Sequence, residues 1–336
     1  MKKLLCIFLS LILTVPLYAC KQENSAPTPY ETTPESTEAT VFPEESAATT
    51  PTEITLKKDF SFEDLKYTVF HFSSGAGGWR TVLTISSDGS FSGKYSDSDM
   101  GETGEGYPEG SVYCSDFTGK FSQPVMVNEY TYSMTLEELT YRRQPGTKEI
   151  IGNTMYYYTE AYGLYGAKEF LLYLPGSSLK ELPESFLIWT KLTRSEETRL
   201  SDYGLYAPET QNGFSSYDTL SWIRAQVSIR ESADRSFESS LQEAETQAEI
   251  NELANNRYQL WDDFLNELWA VLNQALDKDT MHSLTLEELD WIEEKEQAIA
   301  EAGSAFTGGS LYSTVAADIA TRMTRDRVYE LLEYLP

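Results

Sequence analysis

The chain has 336 residues, of which 40% are hydrophobic and 13% aromatic, so it can build substantial cores and is not disordered overall. Its 53 acidic and 26 basic side chains give a net charge of −27 at pH 7. A field of this sign repels phosphate backbones and anionic lipid head groups, which argues against nucleic-acid binding and favours a cationic partner.

The first twenty residues have the pattern of a bacterial export signal. Lys2 and Lys3 precede an apolar run, residues 4–16, that is too short to cross a bilayer as a helix. The run ends in Leu17-Tyr18-Ala19-Cys20, which resembles the lipobox of bacterial lipoproteins. We therefore predict a signal peptide over residues 1–19 and a diacylglycerol on Cys20 that anchors the protein to the outer face of the cell membrane. The alternative is an ordinary cleaved signal with an incidental cysteine.

Residues 20–55 are rich in Thr, Glu, Pro, Ser and Ala and contain very few large apolar side chains. This composition buries too little surface to offset the entropy of ordering, so we predict a disordered stalk. The cysteines are Cys6, Cys20 and Cys114, and Cys114 would have no partner in the processed chain. An exported protein without an internal disulfide depends on its hydrophobic cores for stability.

Residues 56–218 are predicted to form an antiparallel β domain, because short β-rich runs follow one another with turn signals between them. Asp88-Gly89 between two such runs is a strong hairpin signal. The candidate strands are residues 67–72, 79–85, 90–95, 112–118, 120–127, 130–139, 155–161, 169–174 and 186–192. Residues 193–218 are expected to be a loop-rich continuation. Because the strands follow one another in hairpin order, we favour a small barrel over a sandwich. A lipocalin-like barrel is one such fold.

From Thr219 onward the apolar period becomes helical and predicts an antiparallel helical bundle over residues 219–336. One broad apolar stripe extends over residues 250–276. Later helix starts are expected at Ser283 or Thr285, near Ser310, and at Thr324 as an N-cap. The predicted fold class is therefore α+β, with the β domain first and the helical bundle second.

Few side chains offer catalytic or metal-binding chemistry. The two histidines, His71 and His282, lie in different predicted domains, which leaves little for a zinc site or a Ser-His-Asp triad. His71 and Cys114 are interpreted as packed side chains. Asp97 and Asp99 form a weak calcium candidate, with a solvated acidic loop as the alternative. We therefore expect a non-enzymatic protein with no cofactor.

The last ninety residues or so carry an ordered set of motifs, at residues 261–269, 289–296, 308–310 and 324–331. Together these motifs resemble the LprI N-terminal-domain family. The residues that fit its pattern are Asp262, Leu265, Asn266, Trp269, Trp291, Ile292, Lys295, Glu296, Gly309, Ser310, Thr324, Arg327, Glu330 and Leu331. The resemblance implies a helical, exported and often lipid-anchored protein, and the name-giving member of the family inhibits lysozyme. Many members carry cysteines in the later helices, which this chain lacks.

Six residues of this region are candidates for binding a partner: Asp262, Asn266, Trp291, Lys295, Glu296 and Arg327. The alternative is a polar network that fixes the register of the packed helices. We favour this alternative for Asp262, Asn266 and Trp291. For the other three residues the two interpretations have about equal weight.

The β region resembles an uncharacterised domain of Gram-positive clostridial lipoproteins, through motifs at residues 73–79, 88–93, 104–108 and 173–176. This second resemblance bears only on the cellular location of the protein, because no activity is established for the domain.

Three hypotheses about function follow. The first is a surface-anchored, non-enzymatic binding lipoprotein, in its specific form a lysozyme inhibitor, with a basic lysozyme or another cell-envelope protein as partner. The second is a ligand-binding or sensory lipoprotein with a small molecule inside the β domain. Its cavity would be lined by Phe70, Phe72, Trp79, Phe91 and Tyr132, although the simpler interpretation of these side chains is a filled core. A cell-wall hydrolase is the third and weakest, because no catalytic constellation is evident.

Overall fold

The computed structural model describes residues 60–75, 77–306, 309 and 311–336. The predicted signal peptide, Cys20 and the stalk lie outside the described residues. After a short 3₁₀ helix, Phe62–Leu65, the strands are β1 (Thr68–Ser73), β2 (Trp79–Ile85), β3 (Ser90–Asp99), β4 (Ser111–Phe121), β5 (Val125–Asn128), β6 (Thr131–Tyr141), β7 (Lys148–Ile151), β8 (Thr154–Tyr158), β9 (Glu169–Tyr173), β10 (Gly204–Ala207) and β11 (Asn212–Asp218). The helices are α1 (Glu184–Trp189), α2 (Thr219–Glu243), α3 (Gln247–Ala275), α4 (Lys278–Gly303) and α5 (Leu311–Leu332).

Eight of the strands close into an antiparallel barrel. Around the ring they are β1, β2, β3, β4, β6, β9, β10 and β11, which is also their order in the chain, and β11 pairs with β1 to complete the ring. This up-and-down connectivity is the one found in lipocalins. Strand β5 pairs with β6, and the β7–β8 hairpin joins β4 through the parallel strand β8. The α+β class and the barrel are confirmed, and the sandwich alternative is wrong.

Three predictions within the β domain are wrong. Residues 120–127, expected to be one strand, are divided between the end of β4 and the start of β5. Residues 186–192, expected to be a strand, mostly belong to α1. Residues 193–218, expected to be loop-rich, supply β10 and β11, the last two strands of the barrel. Glycine weakens a strand signal, yet Gly204 and Gly213 lie where there is little room for a side chain. A Cβ on either glycine would approach Phe186 of α1, to 2.4 Å at Gly204 and 3.0 Å at Gly213.

Large apolar side chains fill the barrel interior. Those with at most 3% of their surface exposed are Phe70, Phe72, Leu83, Ile85, Phe91, Phe117, Phe121, Met134, Phe170, Leu172, Leu205 and Phe214. Phe62 and Leu65 of the 3₁₀ helix are equally buried. Burial of so many large side chains together is typical of a close-packed protein core, so the barrel is filled over these residues.

The four long helices form a bundle, as predicted. Helices α2 and α3 are antiparallel, because Arg230 pairs with Glu267 and Asp234 pairs with Arg257. Helices α4 and α5 are also antiparallel, because Glu288 pairs with Arg327 and Gly303 lies beside the Tyr312 ring. Helices α3 and α5 run parallel, because Gln247 bonds to Thr314 near their starts and Trp261 meets Tyr329 further along. The buried core is formed by Ile223, Trp261, Phe264, Leu265, Leu268, Val271, Leu272, Leu284, Val328, Leu331 and Leu335.

Two predicted helix starts are wrong. Helix α4 begins at Lys278, because Asp277 accepts hydrogen bonds from the N–H groups of Asp279 and Thr280 at 3.0 Å and so caps the helix. Helix α5 continues through Thr324, which is fully buried between helices and does not cap a new one. Ser310 lies outside the described residues. None of the helices described has the length and apolarity needed to span a membrane.

Candidate functional site

A cluster of aromatic and charged side chains joins α3 to α4. The Tyr258 hydroxyl donates to Asp262 at 2.8 Å, and the Lys295 ammonium lies 3.9 Å from the Asp262 carboxylate. The same ammonium lies over the Trp291 ring, 4.5 Å from its centroid, in a cation–π contact. Burial and the bond to Asp262 raise the pKa of Tyr258, so its hydroxyl remains a donor. The structure thus brings together Asp262, Trp291 and Lys295.

Asn266 and Glu296 lie apart from this cluster. Asn266 is exposed, and its amide donates to the backbone carbonyl of Asp262 at 2.8 Å within the same helix. Glu296 is also exposed, next to Lys295 in sequence but on another side of α4. These two side chains are available to solvent, whereas Lys295 is mostly enclosed, with 12% of its side chain exposed.

Arg327 is a buried link between α5 and α4. Only 3% of it is exposed, and it donates to Glu288 at 2.8 Å, to Glu287 at 2.7 Å and to Glu330 at 2.8 Å. Burial raises the pKa of Glu288, and the hydrogen bond from Arg327 opposes that shift. A guanidinium enclosed in this way has little surface left for a partner, and its visible role is to hold two helices together.

A second ion network, which the sequence did not suggest, joins α2 to α3 and α5. Arg257 donates to Asp234 at 2.6 Å, and Arg325 donates to Glu231 at 2.9 Å. The Arg325 guanidinium also lies 5.5 Å from the centroid of the Trp261 ring. The partners are 23 and 94 residues apart in sequence, so no local spacing identifies them.

The barrel offers little catalytic or metal-binding chemistry. No group of three or more His, Cys, Asp or Glu side chains could hold a metal ion within the described part of the chain. Asp99, one of the two calcium candidates, accepts from the N–H groups of Gly101 and Glu102 and so stabilises its own turn. Asp97 belongs to β3 and pairs across the sheet with Tyr113. Both acids therefore belong to the last residues of β3 and the turn that follows it.

The histidine and the thiol of the barrel are partly buried. His71 lies 3.1 Å from the Ser215 hydroxyl, and burial lowers the pKa of its imidazole. Burial raises the pKa of Cys114, which makes it a poor nucleophile at neutral pH.

The residues proposed to line a ligand cavity are mostly core. Phe70, Phe72, Phe91 and Tyr132 are at most 5% exposed, and Trp79 packs edge-on against Phe72 with 4.9 Å between ring centroids. A cavity of about 350 Å³ lies elsewhere, between the 3₁₀ helix, β1, β2 and the helical bundle. This geometry gives no support to a ligand in the part of the barrel that these rings fill.

The comparisons with known proteins concern the helical half. Residues 238–331 match the family model described as lysozyme inhibitor LprI. The matched span runs from the last turns of α2 to the end of α5 and contains all six candidate residues. Comparisons with curated proteins and with solved structures found no significant match. The resemblance of the β region to clostridial lipoproteins gains no support from them.

Proposed function

We propose that the protein is a surface-anchored, non-enzymatic binding lipoprotein whose helical domain inhibits a lysozyme. The observation that carries the proposal is the match of residues 238–331 to the LprI lysozyme-inhibitor family. The matched span is also the part of the chain that builds the bundle, because α3, α4 and α5 contribute most of its buried core.

Electrostatics support a basic enzyme as the partner. The chain carries a net charge of −27, and most exposed charges on α4 are carboxylates. Such a surface increases the association rate of a basic protein, and this increase becomes smaller as salt screens the attraction. Long-range attraction alone is not inhibition, so a short-range contact surface is required as well.

The proposed location agrees with this role. A lipid on Cys20 and the stalk over residues 20–55 would place the folded part outside the cytoplasmic membrane, where a lysozyme attacks the wall. Two acyl chains are sufficient for stable anchoring.

The test is an inhibition assay. Protein spanning residues 56–336 is titrated into hen-type and invertebrate-type lysozymes acting on bacterial walls, at low and at physiological salt. We expect saturable inhibition of at least one enzyme that is weaker, but still present, at the higher salt. An unrelated protein of similar negative charge serves as the control for non-specific attraction. Inhibition of neither enzyme, or inhibition equal to that of the control, would refute the proposal.

A further inference from the structure

Helix α4 is attached to the bundle through a narrow face. Of its 26 residues only Leu284, Glu288 and Gly303 are buried. Trp291 and Lys295 are half-buried on the side of the helix that Leu284 and Glu288 share. The other side of α4 is directed at solvent.

Two large apolar side chains lie on that outer side. Leu286 is 53% exposed and Leu289 is 54% exposed, and a spacing of three residues places them next to each other on the helix surface. A single exposed leucine is ordinary on a soluble protein. An adjacent apolar pair on a helix otherwise rich in exposed carboxylates is less common, and an apolar centre within a polar rim is typical of an interface.

The charges around the two leucines are acidic. Asp290 and Glu293 are exposed on the same side, one turn along the helix. The nearest cation of α4 toward its C-terminal end, Lys295, is directed instead at Asp262 and the Trp291 ring. It therefore does not neutralise the outer side, which remains negative.

We propose that the α4 outer face, defined as Leu286, Leu289, Asp290 and Glu293, is the surface that contacts a basic lysozyme. The inference rests on the proposed function and names the contact surface for it. The leucine pair supplies the desolvated centre, and the two carboxylates pair with Lys or Arg side chains at the rim. A second copy of this chain does not fit, because two identical acidic rims would repel each other.

The experiment compares three variants of the protein spanning residues 56–336. Leu286→Ala combined with Leu289→Ala removes the apolar centre, and Asp290→Lys combined with Glu293→Lys reverses the charge of the rim. Ile229→Ala is the matched control, because Ile229 is 52% exposed on α2 and lies outside the family match. Inhibition and direct binding to the inhibited lysozyme are measured, and thermal unfolding is recorded for each variant.

We expect the double alanine variant to lose inhibition by about tenfold or more. The charge-reversed variant should associate several-fold more slowly, with the larger effect at low salt. Both variants and the control should unfold at the temperature of the unmodified protein, since all of these side chains are exposed.

The possible outcomes distinguish a failure of the proposed contact surface from a failure of the proposed inhibitor function. Full inhibition by both α4 variants would overturn the proposed contact surface and leave the proposed inhibitor function intact. Equal losses in the double alanine variant and in Ile229→Ala would also overturn it, because the effect would not be local to α4. Absence of inhibition by the unmodified protein would overturn the function and the surface together.

Discussion

Asp234 shows how a single buried charge is stabilised in the bundle. Its side chain is nearly inaccessible, with 1% of the residue exposed. Burial opposes ionisation, but hydrogen bonds and positive charge from Arg257 and Arg325 outweigh it and lower the pKa of Asp234. The ion pair therefore stabilises the fold above the ordinary Asp pKa, and this contribution disappears as the pH falls through the lowered pKa.

We predict that Asp234→Ala reduces the free energy of unfolding by about 3 kcal/mol at pH 7, because it leaves a partly buried guanidinium with less compensation. Glu238 still contacts Arg257 and limits the loss. The difference from the unmodified protein should shrink below about pH 4. Urea unfolding at a series of pH values measures both effects. Asp263→Ala, on the exposed side of α3, is the control and should change stability by less than about 0.5 kcal/mol. Equal losses in the two variants would contradict this account.

Arg327 provides a test of whether a family-motif residue is structural. Replacing it with Met leaves Glu288 in a buried site without its main cation, which should cost about 3–5 kcal/mol at pH 7. Burial already raises the pKa of Glu288, so the folded variant should bind a proton more readily than the unfolded chain. Its stability should therefore rise as the pH falls from 7 toward the ordinary Glu pKa.

The companion variant for this prediction is Arg327→Met combined with Glu288→Gln, which should recover part of the stability and lose the pH dependence. Thermal unfolding and the inhibition assay are run on both proteins. A loss of inhibition without any loss of stability would show instead that Arg327 contacts the partner directly.

At the scale of elements, β3 and β4 pair so that each strand places a glycine opposite a phenylalanine ring of the other strand. Gly93 is opposite Phe117, and Gly119 is opposite Phe91. A Cβ on Gly93 would lie 2.5 Å from the Phe117 ring and 2.4 Å from the backbone oxygen of Val82, a distance that real Cβ atoms do not adopt. The missing side chain is therefore what lets the ring close over the sheet.

We predict that Gly93→Ala destabilises the barrel by about 1–3 kcal/mol, because the ring or the strand must move. Gly78→Ala is the matched control, since its Cβ would meet nothing within 4 Å. Denaturant unfolding of the two variants measures the free energy of unfolding of each. A Gly93→Ala protein as stable as Gly78→Ala would mean that the barrel accommodates the methyl group without cost.

The elements also show where sequence reasoning succeeded. Alternation and the Asp88-Gly89 turn identified β2 and β3, since both signals are local. Strands β10 and β11 were missed because Gly204 and Gly213 serve a contact with Phe186, a residue of another element. The apolar run of α1 was ambiguous, because a short apolar stretch fits a strand and a helix equally well.

In the candidate site, too, some residues could be predicted from local sequence motifs and others could not. The motifs located Asp262, Trp291 and Lys295, which the fold brings into one cluster. The pairing of Asp234 with Arg257 depends on how α2 packs on α3, and no spacing within one helix signals it. The exposure of Leu286 and Leu289 likewise depends on which side of α4 is turned to the bundle.

At the scale of the whole molecule, a short junction is one of the places where the barrel and the bundle meet. Asp218, the last residue of β11, caps α2 by accepting from the Ser221 N–H at 2.7 Å. Thr219 then donates its N–H to the Tyr67 carbonyl at 2.7 Å, next to the first strand of the barrel. The buried core of the bundle begins further on, at Ile223, and consists of residues that follow the barrel in sequence.

Because this core is separate from the barrel interior, we predict that the two halves lose structure independently. Asp234→Ala should increase amide hydrogen exchange in α2, α3 and α5 and leave the barrel strands protected, whereas Gly93→Ala should do the reverse. Peptide-resolved exchange of both variants measures this, and the unmodified protein sets the baseline. If either variant increased exchange equally in both halves, the junction at Asp218 and Thr219 would couple them into one cooperative unit, and the helical bundle would depend on the barrel for its stability.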